Sequence, residues 1–441
     1  MPSNKDVVEA QRYNRKRLVT AFMSGTPGGR ELEPRGFSYP LIIGVVLTAV
    51  IVVVGIVVAK FAPTLPEGWE DNKLIVVADT GARYFTMGGT LYPVSNITSA
   101  RLMSEPGEFQ PIRVDAAVLE GKPRGREIGI PGAPDDIPPV DQLRGDTWVS
   151  CAGSDGKQNQ TWVAASAEGL ATARLAIVVN EGQRYLIVDG MKYQLSDEDV
   201  YSRLIIESQH AEHNVNAAWL NLFERGSDLK KIHLANEGQP VSGFPKRLVG
   251  LHVGSLVEIG DQYFVVVGDG EMSRLSELQA RVVGLTSADQ VTITSNEVVD
   301  NKIAVDTDSP ALPKDWPEQL PVEEVDEGRM PCATLAVSSE QVPTVGLGAM
   351  SPATVADNTL PVAVSGGYGA LIKASSGSVG AVRLVTDSGQ AFSLGEDPRD
   401  TLSRFGYSEA NIIVVPGAWV SLVPVAAIEL TNATALEAAE S

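Results

Sequence analysis

The pattern of apolar and polar positions changes character once, early in the chain. From Leu41 to Ala59, nineteen positions carry no charge and nothing more polar than Thr48, Gly44 and Gly55. A bilayer core takes about 20 apolar residues in helical form, so the run predicts a transmembrane helix over 41–59. A cleaved signal peptide would have an apolar stretch of about 7–15 residues nearer the start and a small-residue cleavage pattern behind it. Here the run continues as Lys60, Phe61, Ala62, Pro63. A buried strand of a soluble core rarely reaches this length.

Beyond the run the pattern becomes one of short apolar stretches and glycine turns, and it repeats. Asp79 to Val94 aligns without a gap with Asn180 to Leu195: Gly81, Arg83, Tyr84, Gly89 and Tyr92 match Gly182, Arg184, Tyr185, Gly190 and Tyr193. Each copy follows an apolar stretch starting at Leu74 or Leu175, which predicts strand, glycine turn, strand, second turn, short strand. A third copy runs from Ile259 to Leu275, where Tyr263 and Gly268 keep the spacing of Tyr84 and Gly89. A fourth begins at Val382, with Asp387, Gly389 and Phe392 set against Asp79, Gly81 and Tyr84. Helical spacing follows the ribbon: Ser196 and Asp199 read as a capping box leading into Val200, Leu204 and Ile205. A ribbon with one helix cannot bury its own apolar face, so the units require a body to pack on.

The chain therefore reads as a single-pass membrane protein: an N-terminal arm, one membrane helix, and a large exterior α+β, β-rich body. That body is expected to hold a discontinuous central β domain and four β-ribbon-plus-helix repeat domains. The expected boundaries are an arm over 1–40, the helix over 41–59, a linker over 60–72 and repeat 1 over 73–111. The central domain takes 112–173 and 291–381, with repeat 2 over 174–250, repeat 3 over 251–290, repeat 4 over 382–430 and a tail over 431–441. The acidic, proline-rich stretch Asp306 to Pro331 reads as an exposed excursion, and Leu436 to Ser441 as a frayed end.

Composition sharpens this picture. The 441 residues include 35 basic and 55 acidic side chains, a formal charge of −20. A chain so acidic is a poor holder of nucleic acid, whose affinity comes from clustered Lys and Arg. With 44% hydrophobic residues the chain is not globally disordered. Length alone suggests about three domains, and 42 Gly and 27 Pro favour short elements joined by turns. The charge is also partitioned. Residues 1–40 carry seven basic groups against four acidic ones, while residues 61–441 hold 27 basic and 51 acidic groups, a net −24. By the positive-inside rule Arg12, Arg15, Lys16, Arg17, Arg30 and Arg35 orient the helix, leaving the arm in the cytoplasm and the acidic body outside the inner membrane. Tyr39 and Trp69 are candidate interfacial anchors. Val7, Val8, Leu18, Val19 and Phe22 can line one side of an arm helix that carries Arg12, Arg15 and Lys16 elsewhere. Such an arm would rest on anionic headgroups or dock a cytoplasmic partner.

Candidate chemistry is sparse. Cys151 and Cys332 are the two cysteines, and in an oxidising exterior they allow one intramolecular disulfide, the alternative being two unrelated buried thiols. Gly153-Ser-Asp-Gly-Lys157 lacks the spacing and the Ser or Thr of a phosphate loop. His210 and His213 form a lone H-x-x-H, read as a solvated helix start rather than as two metal ligands. No G-x-S-x-G elbow occurs, and Gly377 to Gly380 is a glycine-serine loop. Asp306 and Asp308 lack the rest of a calcium loop. Glu323, Glu324, Asp326 and Glu327 read as a solvated face, and Asn96-Ile-Thr98 as a chance sequon. No catalytic, cofactor or metal residues are assigned.

Several strings together carry a resemblance. Glu9 to Gly25, Leu91 to Leu102, Gly129 to Asp135, Trp148 to Cys151, Ala217 to Phe223 with Gly226 to Leu229, and Tyr263 to Gly270 resemble, in order, the EccB family of type VII (ESX) secretion systems. The resemblance implies a membrane-anchored core subunit working with an FtsK/SpoIIIE-type ATPase EccC, EccD, EccE and a mycosin protease. It also implies a central β domain with four repeats similar to a phage-lysin fold, pairing of the external bodies, and one disulfide matching Cys151 and Cys332. Some members are described as ATPases, which would make ATP the one cofactor to consider, although this sequence has no phosphate loop. The leading expectation is thus a non-catalytic assembly subunit; the alternatives are an exterior nucleotide hydrolase and a cell-wall-binding module.

Overall fold

The computed structural model describes residues 3–24, 38–61, 64–206, 210–284, 290–306, 311–337, 342–356, 360–375 and 381–440. They divide into two compact units, 1–65 and 66–441. The first contains an arm helix, Asn4–Ser24, and a second helix, Ser38–Phe61. The rest of this section concerns the second unit, the body.

β-Branched and aromatic stretches such as Leu74–Val77, Leu175–Asn180 and Gln262–Gly268 form strands, and the body has five sheets. Three of them share one plan. In the sheet begun by Leu175–Asn180, the next strands Gln183–Val188 and Met191–Gln194 follow as antiparallel neighbours. Glu212–Asn214 then returns parallel to the first strand, and Glu224–Arg225 parallel to the third. The sheets begun by Leu256–Ile259 and by Ala370–Ala374 repeat the order fourth-first-second-third-fifth. The sheet begun by Leu74–Val77 has the first four strands, and a parallel bridge from Leu91 to Arg124 stands where the fifth would be. We refer to these as units 1 to 4 in chain order.

The strand partners do not respect every boundary that the hydrophobic pattern suggests. Pro111–Val114 pairs in the unit 1 sheet, Gln290–Thr292 and Ala304–Asp306 in unit 3, and Ala370–Ala374 in unit 4. These are short strands at the start or end of their sheets in chain order, and nothing in their own periodicity says which sheet they enter.

The fifth sheet is central. Its order is Val362–Ala363, Asn159–Val163, Thr147–Ala152, Met330–Ala336, Thr344–Met350, Ala171–Ala173, so strands from two distant parts of the chain are interleaved in it. One face presents Trp148, Val163, Ala333 and Leu335 to Ile187 and Trp219 of unit 2 and to Ile372 and Trp419 of unit 4. The other face holds Val149, Cys151, Trp162, Cys332 and Met350.

The outer units pair with one another. Leu74, Phe85 and Leu102 of unit 1 share a core with Leu371, Leu384 and Phe405 of unit 4. Leu186 and Leu204 of unit 2 share one with Leu256 and Leu278 of unit 3. Each pair is crossed by a strap. Residues 128–144 bind units 1 and 4: Ile97 donates its backbone N–H to the Asp135 carbonyl at 2.7 Å, and Arg144 donates to that of Gly369 at 2.7 Å. Residues 311–325 bind units 2 and 3: Tyr193 donates its hydroxyl to the Asp315 carbonyl at 2.6 Å, and the Gln279 amide donates to that of Pro313 at 2.7 Å.

This second strap corrects the reading of 306–331 as an exposed excursion. Leu312, Trp316 and Val325 are buried, and the acidic residues between them mask an apolar anchor. The stretch read as frayed from Leu436 continues a helix as far as Glu440, and Ser441 lies outside the described residues. Asn432–Glu440 is a helix, with Ala435 buried and the Asn432 amide donating to the Leu102 carbonyl at 2.7 Å.

Candidate functional site: a membrane helix and a tied central sheet

The helix Ser38–Phe61 contains the apolar window Tyr39–Val57, 19 residues of mean hydropathy 3.0 with none of it buried. Among the described residues it is the one helix long and apolar enough to cross a membrane. Within it Thr48 donates its hydroxyl to the Gly44 carbonyl at 2.8 Å, so its one polar side chain in mid-span is satisfied internally. Tyr39 is exposed on the first turn. Trp69, by contrast, is buried in the body beneath the Lys122 ammonium, 4.6 Å from its ring, and does not serve as an interfacial anchor. On the arm helix Arg12, Arg15, Lys16 and Arg17 are exposed, as are Val7, Val8, Leu18, Val19 and Phe22. Arg30 and Arg35 lie outside the described residues.

Cys151 and Cys332 face each other across the central antiparallel pair and are bridged, with Cα atoms 3.9 Å apart. Both are fully buried. The bond joins strands 181 residues apart in sequence and so ties together the two halves of the sheet on which units 2 and 4 pack.

The turn residues fall in different places. Gly81 and Gly182 close first hairpins at positive φ with open space around them. Gly89 and Gly190 close second hairpins. In unit 3 the positive-φ glycine in that place is Gly270, not Gly268: the second strand carries an irregularity between Val266 and Gly268, which moves the turn along. In unit 4 Asp387 to Gly389 joins Arg383–Val385 to Ala391–Ser393, the second and third strands, so it corresponds to Gly190 rather than to Gly81. An Asp-x-Gly turn suits either hairpin, which is why the local match slipped by one. Tyr84, Tyr185 and Tyr263 lie on second strands, and Phe392 on a third. Gly190 and Gly389 also mark close approaches: a Cβ on Gly190 would sit 2.3 Å from the Val345 carbonyl oxygen, and one on Gly389 2.5 Å from that of Val362. Both oxygens belong to the central sheet region, so second-hairpin turns are where units 2 and 4 press on it.

The remaining candidates have structural partners. The Gly153 to Lys157 string is a hairpin turn, with Gly153 bonded to the Gln158 carbonyl at 2.8 Å and Lys157 N–H to the Asp155 carboxylate at 2.9 Å. His213 is not at a solvated helix start. It is buried on the strand Glu212–Asn214 and donates through Nε2 to the Val325 carbonyl at 2.9 Å. His210 pairs with Glu324, which removes that acid from the solvated face, whereas Glu323, Asp326 and Glu327 are exposed. The helix after the unit 2 ribbon is capped by Asp197, whose carboxylate accepts from Asp199 and Val200 N–H, rather than by Ser196. Asn96 is buried as a helix cap, its amide donating to the Ile130 carbonyl at 2.9 Å. The Gly377 to Gly380 loop and Asp308 lie outside the described residues. Among the described residues no group of three or more His, Cys, Asp or Glu is placed to hold a metal ion.

The residues that repetition alone did not reveal are two tryptophans. Trp219 and Trp419 follow the fourth strands of units 2 and 4, in Ala-Trp-Leu-Asn-Leu and Ala-Trp-Val-Ser-Leu. Both are fully buried against the central sheet. Trp219 donates its indole N–H to the Ser150 carbonyl at 2.8 Å, and Trp419 meets Trp148 edge-on at 6.4 Å. The signal was present as a second repeat 200 residues long in period, outside the ribbon that defined the first.

The whole sequence, residues 1–441, matches the model of the family described as type VII secretion system ESX-1, transport TM domain B. The chain belongs to the EccB family. Curated EccB relatives include the ESX-1 secretion system ATPase EccB1 of Mycobacterium tuberculosis (strain ATCC 25618 / H37Rv), 27% identical over 254 residues that cover 53% of this chain and 51% of that one. The ESX-2 secretion system ATPase EccB2 of the same strain is 27% identical over 282 residues, 59% of this chain and 53% of that one. The chain thus spans about half the length of the curated relatives it matches. Its fold extends the likeness. A chain of an intact ESX-5 inner membrane complex superposes with a TM-score of 0.63 at 20% identity, covering 99% of this chain and 95% of that one. EccB3 in its dimer from the ESX-3 core complex gives 0.61 at 20%, covering 82% and 99%.

Proposed function

We propose that this EccB-family chain is a structural subunit of the inner-membrane assembly of a type VII secretion system. The observation that carries the reading is the occurrence, in one chain, of a membrane-capable helix and a body whose two cysteines are bridged across the central sheet and whose outer sheets pack on it through apolar side chains. In this reading the basic arm, with Arg12, Arg15, Lys16, Arg17, Arg30 and Arg35, stays in the cytoplasm and the acidic body lies outside the membrane. The buried disulfide supports that orientation, because structural disulfides persist in oxidising compartments. Units 1 to 4 are four copies of one repeat domain, docked in pairs on a discontinuous central domain. The body pairs with a second copy, as the EccB3 relative does in its dimer. The arm meets membrane lipids and the other subunits: an EccC-type ATPase, EccD, EccE and a mycosin protease.

Extraction of tagged full-length chain from its own cells in mild detergent tests this. The expected outcome is a large assembly containing other membrane subunits of the secretion machine, identified by mass spectrometry. Recovery of the chain as a free monomer at every detergent concentration would overturn the reading.

A further inference from the structure

A cleft of about 1030 Å³ opens between the outer edge of the unit 4 sheet, the end of unit 2 and the rim of the central sheet. Its accessible apolar side chains are Ile412 and Val414 on one side and Val342 and Val345 by the central sheet, while Leu222 and Phe223 lie behind its floor in the core. The charged side chains in its lining are Asp146 and Glu224. Both are exposed, and neither has an ion-pair partner among the described residues. At this size the cleft is at the upper end of the range of ligand pockets, about 300–1,000 Å³.

One wall offers main-chain groups as well. Ile413–Val415 is an outer strand, paired on its inner side with Ile372, Lys373 and Ala374 in parallel register. Ser375 donates its N–H to the Val415 carbonyl at 2.9 Å. That bond turns the polar groups of Val415, and of Ile413 two positions earlier, toward the sheet. The N–H and C=O of Val414 accordingly face away from it, and the Val414 side chain is 48% exposed. An edge of this kind is a template for one more strand.

We propose that this cleft receives an extended segment of a partner protein, added as a strand beside Ile413–Val415. Apolar side chains of the segment fill the groove against Ile412, Val342 and Val345, and a lysine or arginine of the segment meets Asp146 and Glu224. A basic, apolar strand complements all three features: its charge matches the two carboxylates, its main chain pairs with Val414, and its apolar side chains match the groove. The inference goes beyond the secretory reading and needs neither its orientation nor its subunit list.

Panning random peptides on phage against the full-length chain in nanodiscs tests it. The expected result is enrichment of sequences that combine alternating apolar residues with Lys or Arg. Those peptides should bind Val414→Pro about tenfold or more weaker, the loss of roughly one strand hydrogen-bond pair. Proline at an outward-facing edge position leaves the sheet's own bonds in place; Val414→Arg, which blocks the groove without touching the backbone, should lose binding as well, with near-ultraviolet circular dichroism checking the fold of each. The double variant Asp146→Asn, Glu224→Gln should remove the preference for basic residues. The proposal is overturned if no sequence class is enriched, if the enriched peptides bind both Val414 variants as they bind the parent, or if a photo-crosslinker at Val342 captures a second copy of this chain instead of the peptide.

Discussion

Gly190 and Gly389 share a left-handed backbone with Gly81 and Gly182, with φ between 71° and 80° at all four, but they differ in what surrounds them. At Gly81 or Gly182 an added methyl meets open space, so alanine should cost only the backbone penalty of about 1–2 kcal/mol. At Gly190 and Gly389 the methyl would also collide with a carbonyl oxygen of the central region, so the loss should rise to about 2–5 kcal/mol. Gly268→Ala, whose nearest neighbour would be a Glu271 carboxylate oxygen at 3.5 Å, should change stability by no more than about 0.5 kcal/mol. Urea unfolding of the five variants checks the ranking, and a Gly268 variant as damaging as a Gly190 variant would refute the placement of the unit 3 turn. A second residue-scale case is Glu297. The Arg247 guanidinium, held at 2.7 and 2.8 Å, and then the Thr294 N–H bring its carboxyl from an ordinary value near 4.5 down to about 2. A depressed folded-state value means that the pair's contribution is present above pH 4.5 and is lost as pH falls toward 2. Side-chain carboxyl NMR should find Glu297 titrating in that low range, and Arg247→Ala should move its midpoint upward.

At the scale of elements, the straps and the disulfide decide which pieces stay together. Trp316 is buried between units 2 and 3, and Trp316→Ala should cost about 3–5 kcal/mol. The loss should be local. Hydrogen exchange is expected to speed up in units 2 and 3 before it does in units 1 and 4, and uniform acceleration would show that the strap does not act on that pair. Replacing Cys151 and Cys332 together by serine removes a closure across 181 residues, worth up to about 5 kcal/mol in the chain-entropy view, measured by urea unfolding as the loss of stability extrapolated to water, with a steeper slope for the opened chain. These elements were legible in unequal measure. The membrane helix was plain because nineteen uncharged residues admit little else, and the ribbons because glycines and tyrosines recur in step. The fourth and fifth strands were not, since a two-residue strand such as Glu224–Arg225 has no period to detect. Trp316 stayed hidden because local composition around it is acidic, and composition reports solvent preference averaged over a segment, not the one side chain that turns inward.

At the scale of the molecule, EccB-family membership came into view through strings scattered over the chain, while the way the units pair came only from three dimensions. Several EccB relatives are named ATPases, yet Gly153 to Lys157 here is a closed hairpin turn with the Gly153, Gly156 and Lys157 amides already bonded. Full-length chain purified to homogeneity is expected to release no phosphate from ATP above the rate of a mock purification; turnover that scales with protein and survives further purification would refute this. The pairing of units has a consequence for how the protein is made. Unit 1 leaves the ribosome before units 2 and 3 yet shares its core with unit 4, which follows them, and Cys151 waits for a partner 181 residues behind it. Maturation of unit 1 ahead of the rest of the body is therefore closed to this chain, whereas units 2 and 3 can pair as they are made. The apolar face of unit 1 must stay uncovered until unit 4 has been made, so a nascent EccB-family chain of this kind is a client for holding chaperones while units 2 and 3 emerge, and loss of unit 4 should harm unit 1 first.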